Sequence, residues 1–330
     1  MKTNAVSALS VWYQAQGKVV LRSAPLPEPG PSTARVRTLY SGISRGTERL
    51  VLSGLVPPAE ADRMRAPLQE GDFPFPVKYG YAAVGVVDAG PTEWLGRIVF
   101  CLHPHQDRFL APLSMLASVP DGVPARRATL AANMETALNA LWDSGAGPCD
   151  RIAVIGGGVV GMLVAFLAAR LPGAAVTLVD VDATRATLAA LLGAAFALPA
   201  QAPEECDVVF HASATEAGLA TAIGCAGMEA VVVEMSWYGD RAISVPFGGA
   251  FHSRRLRLIA SQVGHVAAGH RPRWSYGRRL AAALDLLRYE ALDALVADSI
   301  DLADVPILLP ALLQGPPVGL APVIRYPKGD

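Results

Sequence analysis

The rhythm of apolar and polar positions changes once along the chain. In roughly the first 120 residues, apolar positions come in short runs: Ala34–Leu39 (ARVRTL), Ala82–Asp88 (AAVGVVD) and Arg97–Leu102 (RIVFCL). Turn formers such as Pro25, Pro27, Pro29, Gly30 and Pro31 separate such runs, which predicts short strands with long connections. One connection, Pro57–Pro76, carries mixed charge and predicts a short helix around Ala59–Arg65. After Pro124 the pattern alternates. Arg126–Trp142 predicts a helix, and Arg151–Ile155, Ala175–Val179, Asp207–Phe210 and Ala230–Glu234 predict short buried strands. Between those strands lie helical stretches at Val160–Arg170, Ala183–Leu192 and Glu216–Cys225. Strands alternating with helices imply a parallel sheet covered on both faces. The tail predicts a helix at Tyr276–Leu287, a strand at Leu295–Ile300, a helix near Leu302–Leu313 and a strand at Pro322–Tyr326. The expected organisation is α/β: a β-rich domain over 1–122, a doubly wound domain over 123–266, and a segment 267–330 that returns to complete the first.

The first of the later strands runs into glycines: Ile152-Ala-Val-Ile-Gly156-Gly157-Gly158-Val159-Val160-Gly161-Met162. A G-x-G-x-x-G that closes a strand, opens a helix and is followed by an acid about 20 residues on is a dinucleotide fingerprint. Gly156 permits the tight turn, Gly158 lets the backbone approach a pyrophosphate, and Gly161 lets the helix pack on the strand. The N–H groups of Val159 and Val160 open the helix, where free donors and the helix dipole favour an anion. Asp180 ends the next strand, TLVD. Its carboxylate can accept both ribose hydroxyls and repels a 2′-phosphate, so NAD is the expected cofactor and NADP the poorer one. Arg185 is the nearby group able to soften that preference.

Bulk properties exclude several classes. Of 330 residues 52% are apolar, enough for sizeable cores, and the formal net charge of -1 does not suit a nucleic-acid binder. Cys101, Cys149, Cys206 and Cys225 are scattered without C-x-x-C spacing, so reduced thiols in a cytoplasm are expected rather than a disulfide framework or a structural zinc clip. The start, MKTNAVSALSVWYQAQG, lacks a signal-peptide core, and the uncharged run Ile152–Ala169 is better read as strand, turn and helix than as a membrane span. Arg241–Leu284 contains no Asp or Glu but holds Arg241, Arg254, Arg255, Arg257, Arg271, Arg273, Arg278, Arg279 and three histidines. That stretch reads as a solvated or subunit-contact face, or as a recognition surface for an anionic substrate.

In order of domains the chain resembles the medium-chain dehydrogenase/reductase superfamily, the relatives of zinc alcohol dehydrogenase. The resemblance spans nearly the whole chain and implies a GroES-like first domain, a Rossmann domain, a substrate cleft between domains and a homodimer. The family's zinc ligands do not carry over. Ser44, in Ser41-Gly-Ile-Ser-Arg-Gly-Thr-Glu48, stands where the family's first cysteine falls. Tyr81, in Gly80-Tyr-Ala-Ala-Val-Gly85, stands where its histidine falls, and the third position falls near Ala132–Asn133. Zinc prefers thiolate, imidazole or carboxylate, so no zinc is expected. The string SGISRGTE, with GY in place of GH, is similar to the bacteriochlorophyllide-type dehydrogenases, which oxidise a hydroxyethyl group on a tetrapyrrole. That likeness bears on reaction type rather than on substrate.

Without a metal to polarise the substrate oxygen, a side chain must do so. The candidates are Tyr81, Ser44, His103 and His105, the last two in Val99-Phe-Cys-Leu-His-Pro-His105. By the same resemblance Arg45 falls at a pyrophosphate-binding arginine, and Thr136 joins the cofactor-binding set. Glu48 and Glu135 read as structural partners, with Arg45 a possible partner for a buried Glu135. The expected activity is hydride transfer between NAD(H) and an alcohol, carbonyl or enone, on a small-molecule substrate that is large or anionic. The alternative is a catalytically silent NAD-binding scaffold or redox sensor.

Overall fold

The computed structural model describes residues 6–315 and 319–327, so the first five residues of the segment read above for targeting lie outside it. The chain divides into two compact units, Met1–Ala132 with Leu280–Asp330, and Asn133–Arg279.

In the second unit the apolar runs form one parallel sheet. Its order is Ala195–Ala197, Ala175–Val179, Arg151–Ile155, Cys206–His211, Ala226–Glu234, Arg257–Ala260. Val154, Val209 and Val232 are fully buried, because helices such as Val159–Ala168 and Glu216–Cys225 cover strands whose two faces both lack water. Chain order reverses between Arg151–Ile155 and Cys206–His211. In open parallel sheets ligands bind beyond the carboxyl ends of the strands at such a switch point. The strand Arg257–Ala260 was not expected, since it is only four residues long and is separated by one residue from Arg254 and Arg255.

The first unit holds two sheets. One is ordered Val296–Asp301, Ala321–Arg325, Thr33–Gly42, Ala83–Ala89, Ile98–Cys101, Ala117–Ser118, with Arg108–Pro112 also paired to Thr33–Gly42. The tail therefore supplies two strands here, parallel to each other and joined antiparallel to Thr33–Gly42. The other sheet is ordered Lys18–Pro25, Ser7–Ala15, Val77–Lys78, Glu70–Gly71.

Two expected helices differ. The stretch 126–142 is broken into Ala125–Ala128 and Ala131–Ser144. The Thr129 hydroxyl donates to the Arg126 carbonyl and the Leu130 N–H to that of Arg127, which tightens the chain and ends the first helix. Around 59–65 only the 3₁₀ turn Pro58–Glu60 forms. There the Gln69 side chain takes the Ala66 N–H, and Arg65 reaches Asp72 and the Gln69 carbonyl, so local side chains replace helical bonds.

Candidate functional site

The glycine turn has the geometry its chemistry requires. Gly156 sits at φ +110, where a side chain is strained, and its N–H donates to the Val179 carbonyl. A Cβ on Gly161 would lie 1.9 Å from the Gly156 carbonyl oxygen, so only glycine lets the helix seat against the strand. Gly158 precedes the helix Val159–Ala168 as its N-cap, is exposed, and has open space where a side chain would stand. Val159 and Val160 are half-buried in the first turn, whose N–H groups have no intrahelical partner.

Asp180 stands beside this turn. One carboxylate oxygen accepts the Gly157 N–H and the other the Asp182 N–H at 2.8 Å. A carboxylate offers about four acceptor positions, so two remain for a diol. Arg185 packs its stem against Gly157 and pairs with Asp182 at 3.2 Å, which ties its charge to another acid. Thr136 lies half-buried on the helix Ala131–Ser144.

Ser44 and Tyr81 meet in the first unit. The Tyr81 phenol donates to the Thr47 hydroxyl at 3.3 Å, and the Ser44 hydroxyl is close enough to lower the phenol pKa as Thr47 does. Burial raises the phenol pKa more than these two hydroxyls lower it, so Tyr81 stays a donor at neutral pH. Zinc does not fit this corner: two hydroxyls and a protonated phenol are poor ligands. The nearest carboxylate, Glu48, already accepts from the Ser44 N–H, the Tyr13 hydroxyl and His105. Among the described residues no three His, Cys, Asp or Glu side chains converge.

The two histidines expected as proton relays are placed differently from Ser44 and Tyr81. His105 is fully buried in a chain of bonds. Its Nε2 meets Glu48 at 3.1 Å and its Nδ1 meets the Ser41 hydroxyl at 2.7 Å, which continues to Tyr326 at 2.8 Å. His103 is 4% exposed, stacks on Phe109 at 3.9 Å and bonds through Nδ1 to the Pro104 carbonyl. Burial, aided by the Lys78 charge, pushes its pKa down to about 3. A neutral imidazole packed on a ring does not shuttle protons near pH 7.

Two pairings also differ. Arg45 donates to the Leu312 and Gly315 carbonyls at the end of the helix Val305–Gln314, a natural place for a cation. Its guanidinium is thus engaged by carbonyls of its own unit. Glu135 is indeed buried, but its partner is Arg279 at 2.9 Å, not Arg45. Arg279 is 2% exposed and also bonds Asn139 and the Val263 and His265 carbonyls. Elsewhere in the acid-free stretch, Arg254 and Arg255 pair with Glu205 and Glu229, and Arg271 and Arg273 bond carbonyls.

The residue pattern singled out nothing at the carboxyl ends of Cys206–His211 and Ala226–Glu234, across the switch point from the glycine turn. There His211 is buried between Ser213 and Glu234. The signal was present in polar residues closing the apolar runs Val208–Phe210 and Ala230–Val233 of the strands Cys206–His211 and Ala226–Glu234.

No family model matches the sequence, and no curated protein matches it. Solved structures do match the fold. L-idonate 5-dehydrogenase from Escherichia coli str. K-12 substr. MG1655 superposes with a TM-score of 0.79 at 13% identity, covering 97% of this chain and 99% of that one. A putative zinc-binding dehydrogenase from Sinorhizobium meliloti 1021, bound to NADP, gives 0.77 at 20% identity over 97% and 99%. 2R,3R-butanediol dehydrogenase from Bacillus subtilis gives 0.76 at 16% identity over 97% and 100%. The chain therefore has the two-part fold of the medium-chain alcohol dehydrogenases, a GroES-like unit and a Rossmann unit.

Proposed function

We propose that this protein is a zinc-independent, nicotinamide-dependent oxidoreductase that moves a hydride between NAD(H) and an alcohol, carbonyl or enone in a small-molecule substrate. The observation that carries the reading is the turn Gly156–Gly161 with Asp180 beside it, a cradle whose open side would admit a pyrophosphate and whose acid would accept a ribose diol. Neighbours in fold have been solved with NADP or NADH, and Asp180 favours the cofactor without a 2′-phosphate. When bound, the nicotinamide accepts or supplies the hydride. The N–H groups of Val159 and Val160 would face the pyrophosphate. Ser44 and Tyr81 supply hydroxyls for the substrate oxygen. Because Tyr81 holds its proton, the corner is better suited to donating to a carbonyl than to deprotonating an alcohol.

The test is calorimetry with NADH and NADPH on the wild type and on Asp180→Ala. NADH should bind the wild type at least tenfold more tightly than NADPH, and the variant should lose most of that difference. Equal affinities in the wild type would remove the assignment of Asp180. No binding of either would remove the oxidoreductase reading itself.

A further inference from the structure

Three side chains at the carboxyl edge of the parallel sheet form a directed chain of hydrogen bonds. His211 closes the strand Cys206–His211 and is fully buried. Its Nδ1 lies 2.7 Å from Glu234 Oε2, and its Nε2 lies 2.7 Å from Ser213 Oγ. Glu234 is anchored by the Ser236 N–H at 2.7 Å on Oε1 and by the Tyr238 hydroxyl at 3.1 Å on Oε2. The Thr215 hydroxyl lies 3.0 Å from Ser213 Oγ and itself accepts the Gly218 N–H at 3.0 Å.

One proton assignment satisfies every member. Thr215 donates to Ser213, Ser213 donates to His211 Nε2, and His211 Nδ1–H donates to Glu234. That leaves the imidazole in the tautomer whose free lone pair faces a serine hydroxyl, as nucleophilic catalysis requires. Burial opposes ionisation of Glu234, but the hydrogen bonds from His211 and Ser236 outweigh it and hold the carboxyl below its usual range. Glu234 is thus an anion at neutral pH, placed to stabilise an imidazolium. The other ionisable groups nearby are Tyr238, Arg241, whose guanidinium lies 5.8 Å from the Tyr238 ring, and Glu216, held by the Ser244 N–H.

The surroundings keep the hydroxyl in place. A Cβ on Gly218 would fall 2.1 Å from Ser213 Oγ and 2.9 Å from His211 Nε2, so glycine is what allows the helix Glu216–Cys225 to approach the serine. The N–H groups of Glu216 and Ala217 open that helix and lack intrahelical partners. Unlike His211, Ser213 is only half-buried, and Thr215, whose hydroxyl it meets, is exposed.

We infer that Ser213, His211 and Glu234 form a second reactive centre, a serine nucleophile for acyl transfer from carboxylic esters. Ser213 Oγ forms a bond to the acyl carbon as its proton passes to His211 Nε2. The tetrahedral oxyanion collapses, the ester C–O bond breaks, and the leaving alkoxide takes the proton from His211. Water, deprotonated by His211, then attacks the acyl-serine, and the acyl C–Oγ bond breaks as His211 returns that proton to Ser213 Oγ, releasing the carboxylic acid and the free serine. No electrons leave or enter. Ser213 and His211 are the catalytic residues, and Glu234 is a positioning residue that acts through His211.

The full chain is incubated with p-nitrophenyl acetate, and separately with a fluorophosphonate probe followed by peptide mass spectrometry. The expected result is an initial burst of p-nitrophenolate near one equivalent per chain, and a fluorophosphonate adduct on Ser213. Ser213→Ala should abolish the burst. His211→Gln should slow it by about 10²–10⁴-fold, the usual worth of a general base. Glu234→Gln should slow it less and displace the acid limb of the pH–rate profile, which a merely structural loss would not move. Labelling needs no variant, so a destabilised substitution does not blunt the test. Ester hydrolysis no faster than in Ser213→Ala, or an adduct confined to other residues, overturns the proposal.

Discussion

Each unit of this protein contains a histidine held between a carboxylate and a serine hydroxyl, yet the two are built for different ends. In the first unit Glu48, His105, Ser41 and Tyr13 are all fully buried, and Tyr326 is 4% exposed. Every polar atom has a partner inside the molecule, and Glu48 additionally ties down the Ser44 N–H at the start of the helix Arg45–Ser53. In the second unit the same residue types stand at the rim of a parallel sheet, and the chain runs through half-buried Ser213 to exposed Thr215. Chemistry of the residues does not separate the two. Access does. A satisfied polar network closed on itself rigidifies a core, whereas one with an open end can pass a proton or attack.

The strongest way to break this comparison is to remove the carboxylate in each unit. Glu48→Ala strips a buried network of its central acceptor and leaves Tyr13, His105 and the Ser44 N–H unpaired. It should cost about 3–5 kcal/mol in unfolding free energy, seen as a large fall in the urea midpoint. A loss under about 1 kcal/mol would mean that the first network is not structural.

A smaller effect is expected from His103, which belongs to neither network. Its folded-state pKa lies near 3, below the ordinary imidazole value. Between those values the unfolded chain binds the extra proton, so the contribution of neutral His103 is present above the unfolded pKa and is lost as pH falls through the folded pKa. Wild-type stability should therefore drop between pH 7 and pH 4. The drop should be shallower in His103→Gln, by on the order of 2 kcal/mol. Parallel stability–pH curves for the two proteins would show that the imidazole is not held neutral by burial.

The smallest effect is expected at the rim. Glu234→Ala leaves the buried His211 Nδ1 without its acceptor, while half-buried Ser236 and Tyr238 can turn to water, so its cost should be about 1–2 kcal/mol. The same urea titration measures it. If Glu234→Ala costs as much as Glu48→Ala, the two networks are alike and access is not what distinguishes them.

How much of this was legible from the residues depended on distance along the chain. The strand Arg151–Ile155, its turn and Asp180 were readable because their logic is local. A glycine at φ +110, another whose Cβ would fall 1.9 Å from a carbonyl oxygen, and an acid closing the next strand are separated by no more than about one strand–helix unit. The helix Glu216–Cys225 emerged with its expected ends, and Thr215 caps it by accepting the Gly218 N–H. The break at Thr129 was hidden because a side-chain bond to the Arg126 carbonyl competes with the helix without altering its apolar pattern.

Partners, by contrast, were not legible. His103 and His105 stand two residues apart and look alike as letters, but one faces Phe109 and the other faces Glu48 and Ser41. Arg45 read as a partner for Glu135 and Arg279 as part of a solvated or anion-recognising face, and only the folded chain shows that Arg279 holds Glu135 while Arg45 holds helix-end carbonyls. The sequence by itself determined the alternation of strand and helix and the glycine turn with its acid. These rest on backbone conformation and on contacts between near neighbours in the chain. The tertiary structure alone decided which histidine is sealed and which ends at an open hydroxyl, because Ser41, Glu48, His105 and Tyr326 come together across separations of up to 285 residues. Burial, set by that assembly, then chooses between a scaffold and a reactive group.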